Sequence, residues 1–458
     1  MSSLTVELRS SASSGNISSL EAALYICKTT HQAPNSLVLI LDIVVANFQP
    51  DRFPSAAQVN LCLDKHRKWM KTLLLSLDTI VAAFQNTFLP GISPTLPEPL
   101  HRKMNEYWGT HIWPALRVII KYAILDDSQP TVNAVYTPAV LYGIVVYFIT
   151  AVGQLSLTPQ LLSDTGGFVA AVTRLVFRYM DRYSSIMRKR LLPFHNILVA
   201  NPSEVVRVLE GEPRFVPVLL AFMKEIRTRY DADLEDVVSR DDFDTISALL
   251  RSITAIPASA PIVNIIKFQY PEVLDVVLQM WKSSLRGITD AARTSVRAHT
   301  SSLHVKTTLS CLDTIASLIE RGGTVLHRRV MRKHFLELVL ETYRRATAII
   351  HVAWSVHHLP PFLEFIQRYL VHLSVLSPTI HSLEKIDRLG LDDSLTWSEA
   401  SSVQHEAKKA WIKFRECVAD RGRVLEAYKL VASREAPLCG NNKVSFFFQH
   451  FPPNVIHC

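Results

Sequence analysis

Residues 69–84 read WMKTLLLSLDTIVAAF. Trp69, Leu73, Leu77, Ile80 and Phe84 recur at steps of four and three, the spacing that collects side chains on one face of a helix. The stretch sits inside a longer helical segment, residues 56–88, closed by the proline-rich LPGISPTLPEP at 89–99. The same habit runs along the chain, through AVLYGIVVYFITAVGQ, RFVPVLLAFMKEIRTRY, PEVLDVVLQMWKSSLRG, VKTTLSCLDTIASLIERGG and PPFLEFIQRYLVHLSVL. Alternation with a period of two is not found, so no sheet is predicted. About fifteen to eighteen helices joined by short Pro- or Asp-marked turns are expected.

Composition agrees. A chain of 458 residues exceeds a single ordinary core and calls for several domains or a stack of helices. Its 48% apolar and 20% charged content suits a folded protein. The 14 glycines are about half the usual share, too few for a fold rich in phosphate loops or hairpins. Helix pairs recur at about 40-residue intervals, the spacing of armadillo and HEAT units, although no unit aligns residue by residue with another. The predicted fold is all-α: an elongated, irregular armadillo- or HEAT-like solenoid over 18–435. A disordered N-terminus (1–17) precedes it, with Ser18 and Glu21 as a capping box for the first helix, and a C-terminal tail (436–458) follows.

Residues 139–157, AVLYGIVVYFITAVGQLSL, are the one candidate membrane span, within an uncharged window between Asp127 and Asp164. Flanking bases are absent and Pro159 follows closely, so a buried core helix is the expected reading and a membrane association the rival one. The N-terminus carries Glu7 and Arg9 without an apolar run and does not read as a signal peptide. Of the six cysteines the first four are far apart, and Cys27, Cys311 and Cys417 sit among apolar residues in helical patterns, so buried free thiols in a reducing compartment, cytoplasmic or nuclear, are expected.

No constellation for chemistry stands out. His351, His357 and His358 cluster just ahead of Pro360 and Pro361, which are expected to end their helix. His405 begins HEAKK, half of a zinc-protease motif with a lysine in place of the second histidine. The GGF and GGT sequences are too short to cradle phosphate. Basic runs at Arg182, Arg188, Lys189 and Arg190, and at Arg328, Arg329, Arg332 and Lys333, lack the aromatic platforms of nucleic-acid readers and are expected as solvated faces. The net charge of +8 is modest for this length. The chain is therefore expected to be no enzyme, without catalytic residues or a cofactor. Its expected partner is a protein rather than nucleic acid, a membrane or a small molecule.

The C-terminal region carries a resemblance. Residues 408–442, KKAWIKFRECVADRGRVLEAYKLVASREAPLCGNN, place a Trp/Phe-bearing helix with the step Arg421 to Leu425 directly before Cys439. This resembles the segment that leads into the C-terminal MYND-type zinc finger of a group of helical proteins from mushroom-forming fungi. Ala407, Trp411, Phe414, Val418, Leu425 and Tyr428 are the apolar stripe of that helix, behind a capping box at Thr396 and Glu399. A MYND finger holds two zinc ions through seven cysteines and one histidine, and Cys439 matches its first ligand. No partner cysteine follows within two to five residues, so the resemblance implies a finger cut short, without zinc. A one-zinc alternative through Cys439, His450, His457 and Cys458 places two ligands side by side, against the usual spacing.

Overall fold

The first helices are set by their caps. Thr5 accepts a bond through its hydroxyl from the Leu8 N–H at 3.2 Å, and Asn16 Oδ1 accepts from the Ser19 N–H at 3.1 Å. These side chains supply acceptors for two of the backbone N–H donors that every helix start leaves unpaired. They open helices Val6–Ser13 and Ile17–Thr29. The expected disorder through residue 17 is thus corrected: nine of those residues, 6–13 and 17, are helical, and the cap of the next helix is Asn16, not Ser18. A Ser-rich sequence read as flexible is here anchored by Ala12, which is fully buried, and by the Asn47 amide, which donates to the Ala12 carbonyl at 3.0 Å.

The computed structural model describes residues 4–30, 33, 36–52, 64–87, 98–125, 137–155, 159–183, 195–233, 237–293, 298–349, 353–392 and 402–434. Among these residues the regular structure is all helical, with no strand. The chain divides into two compact units: residues 1–222 with 241–259, and 223–240 with 260–458.

In the first unit, helix Asp64–Thr87 is the axis. Helices Ile17–Thr29, Ser36–Asn47 and Pro138–Leu155 pack against it. Leu73, Leu77, Ile80 and Phe84 are buried as the spacing predicts, and so are Leu74, Leu75, Val81, Ala82 and Ala83, so the helix is enclosed rather than one-sided. Of its buried polar residues, Thr79 donates to the Leu75 carbonyl at 2.6 Å, and Asp78 pairs with Lys28 of helix Ile17–Thr29 at 3.0 Å.

The apolar segment 139–157 is helical from Pro138 to Leu155. Leu141, Tyr142, Val145, Val146, Phe148 and Ile149 are all buried against protein. No single helix among the described residues is long and apolar enough to cross a membrane; Ser239–Ala255 with Pro257–Phe268 reaches that length and composition only as a broken pair.

Among its described residues, three π-helical turns interrupt the first unit, at Trp108–Ile112, Ile120–Leu125 and Tyr179–Tyr183. Each widens the helix by one residue and re-aims the aromatic side chains around it.

The second unit is built on the long pair Glu272–Arg293 and Ala298–Met331, flanked by Ala260–Phe268, Phe335–Ile349 and Leu373–Arg388. Trp281, Leu285, Ile288, Ile315, Leu318 and Ile319 are buried in this unit. The Trp281 indole N–H donates to Thr342 Oγ1 at 2.8 Å, tying the pair to helix Phe335–Ile349. Helix Ser402–Arg434 then lies on Ala353–Tyr369 and Leu373–Arg388. Ala407, Trp411, Phe414 and Val418 of its predicted stripe are buried, whereas Leu425 is half-buried.

The boundary expected at Gly322–Gly323 is present: the helical run Ala298–Met331 is two helices joined across a kink at Gly323, whose φ of 65° and ψ of −151° leave helical geometry. Pro360 and Pro361 were expected to stop a helix, yet both lie inside Ala353–Tyr369. There, packing on neighbouring helices outweighs the local preference to break.

Candidate functional site: polar side chains between helices

Cys439, the position that matches a MYND ligand, lies outside the described residues, as do His450, His457 and Cys458. So do His351 and the basic run at Arg188, Lys189 and Arg190. His405 is exposed on helix Ser402–Arg434. Among the described residues no group of three or more His, Cys, Asp or Glu side chains is placed to hold a metal ion.

Among the described residues, Cys27 and Cys311 are fully enclosed and Cys417 is half-buried, none of them in a disulfide. Burial pushes the Cys27 thiol up to about 12, which keeps it neutral and unreactive.

The second basic run is partly neutralised inside the fold. Arg329 donates to both oxygens of Asp275, at 3.3 and 2.6 Å, and Lys333 approaches the same carboxylate at 3.7 Å. Arg328 and Arg332 stay exposed near the C-terminal end of their helix, where positive charge also complements the helix dipole.

Four closed polar or aromatic clusters are built between helices among the described residues. In the first, Trp108 donates from Nε1 to Thr165 Oγ1 at 3.0 Å and Trp113 donates to the Gly166 carbonyl at 3.1 Å. Phe168 meets both indoles edge-on. The GGF sequence is therefore a clamped turn, with Gly167 in the left-handed region (φ 76°) capping helix Phe168–Arg178.

In the second, Tyr142 and Tyr179 stack at 5.6 Å, and the Tyr179 hydroxyl donates to buried Asp242 across 3.5 Å. The third joins three helices of the second unit. The Tyr230 hydroxyl meets His304 Nδ1 at 2.5 Å, both side chains are buried, and the His304 ring lies over Gly287. A hydroxyl–imidazole pair is suited to proton transfer. Here it is sealed in the core and serves to fasten Phe215–Ala232 to Ala298–Met331.

The fourth surrounds His327, which is fully buried with neither ring nitrogen bonded. Its ring lies parallel to Phe365 at 6.5 Å and edge-on to Tyr369 at 4.8 Å. Burial, reinforced by the nearby His372, lowers its pKa to about 4.

Sequence reading missed these clusters because their members come from distant segments: 74 positions separate Tyr230 from His304. The only local signal was the presence of histidine, tyrosine or tryptophan on an otherwise apolar face. Comparison with protein-family models, with curated proteins and with solved structures finds no match to this chain.

Proposed function

We propose that the protein is a non-catalytic helical scaffold, an irregular armadillo- or HEAT-like array that docks a protein partner. One observation carries this reading. The polar clusters above are turned inward to join helices, while Val371 and Leu373 stand out at 65% and 55% exposure in the turn that precedes helix Leu373–Arg388. Apolar side chains exposed two positions apart, where one helix gives way to the next, suit a protein contact. The resemblance of residues 408–442 to the approach to a MYND finger supports the same class, since such fingers are carried on helical bodies as peptide-docking modules.

A photo-activatable cross-linking residue at position 373, in the full-length chain in its native cell, tests it. A discrete protein adduct is expected, reduced at least tenfold by Val371→Asp. Adducts no stronger than those from a cross-linker at exposed Lys282 overturn the proposal.

A further inference from the structure

His327 raises a problem that the scaffold reading does not use. A neutral imidazole carries one donor and one acceptor, and buried polar atoms of this kind are almost always bonded. In His327 both are unbonded, and the ring meets two aromatic side chains of helix Ala353–Tyr369. Four residues earlier, Gly323 adopts φ 65°, ψ −151°, a backbone region open in practice only to glycine. A Cβ there would meet nothing within 4 Å, so space around the joint is free. A kink, an unsatisfied titratable ring and a weak aromatic contact thus follow one another within one helical run.

We propose that residues 324–331 form a proton-operated hinge: protonation of His327 parts its ring from Phe365 and Tyr369, with Gly323 as the joint. The charged groups around it favour this direction. His372, just ahead of helix Leu373–Arg388, opposes a positive charge on His327 in the closed state. Burial raises the Tyr369 pKa, Glu320 on the other side of the Gly323 kink adds to this, and Arg368 beside Tyr369 opposes it. The closed ring stays neutral down to a pH of about 4. Once open, it takes up a proton in the ordinary range near 6.5. Protons therefore bind the open form first, and the opening equilibrium rises roughly 20-fold between about pH 7 and about pH 5.

Hydrogen exchange on the full-length chain at these two pH values, corrected for the intrinsic rate, tests the hinge. Amides of 324–331 and of the segment around Phe365 and Tyr369 are expected to open roughly 20-fold more at the lower pH. Helix content by circular dichroism should stay constant, and His327→Phe should abolish the rise. The proposal is overturned by no rise in the wild type, or by an equal rise in His327→Phe. If that variant does not fold, NMR of the labelled His327 ring in the wild type decides. Titration coincident with the exchange change supports the hinge, and titration or exchange change without the other overturns it.

Discussion

At His327 the consequence for stability follows from its lowered pKa. The unfolded chain binds the proton at the ordinary pH near 6.5, whereas the closed fold resists it down to about 4. Its contribution is complete above the first value and lost progressively as pH falls toward the second, by on the order of 3 kcal/mol. Denaturant titrations across this range should show that slope in the wild type and a flatter one in His327→Phe. Gly287 makes a steric prediction. A Cβ at this position would lie 2.6 Å from the His304 ring, closer than side-chain carbons approach. Gly287→Ala should therefore destabilise by about 1–3 kcal/mol, read as a lower denaturation midpoint. Cys27 should resist alkylation at mildly alkaline pH in the folded chain and react on unfolding, because burial keeps its thiol protonated.

At the scale of elements, Asp392 is a hook for the last helix. It accepts from the Trp411 indole N–H at 2.8 Å and from the Arg415 guanidinium, which also reaches Asp387 at 2.8 Å. Asp392→Ala removes the acceptor for both and leaves a largely buried indole donor unpaired. A loss of about 1–3 kcal/mol and faster proteolysis within Ser402–Arg434 are expected. The helices themselves were legible in the sequence because a core-facing side chain must recur with the helical period. Thus Trp411, Phe414 and Val418, and Leu73 through Phe84, could be placed before any coordinates. The break at Gly323 was legible too, whereas Pro360–Pro361 misled, because a breaking signal is local and the packing that overrides it is not. The partners of Trp281, Tyr230 and Arg329 lie 61, 74 and 54 positions away and leave no periodic trace. Asp275 in particular turned a run of four bases, read as solvated, into a run with two of its charges compensated.

At the scale of the whole molecule, the two units exchange chain: 223–240 belongs with the C-terminal unit and 241–259 returns to the N-terminal one. Neither unit is a single continuous stretch. A fragment ending at residue 222 lacks buried Phe243, Ile246, Leu249, Leu250 and Ile253, whereas one ending at 259 retains them. The longer fragment should show a sharper thermal transition by circular dichroism than the shorter, since the missing residues leave apolar surface uncovered.

This interleaving also orders events during synthesis. A nascent chain emerges from the ribosome in one direction, and the N-terminal unit is incomplete until residue 259 is outside the exit tunnel. By then residues 223–240 have already emerged, ahead of nearly everything they will pack against. Tyr230, Met223 and Ile226, all apolar or aromatic and all destined for burial, must wait for helices translated later. A pause in translation shortly after codon 259 would lengthen that wait, making this interval the point at which a holding chaperone has most to protect.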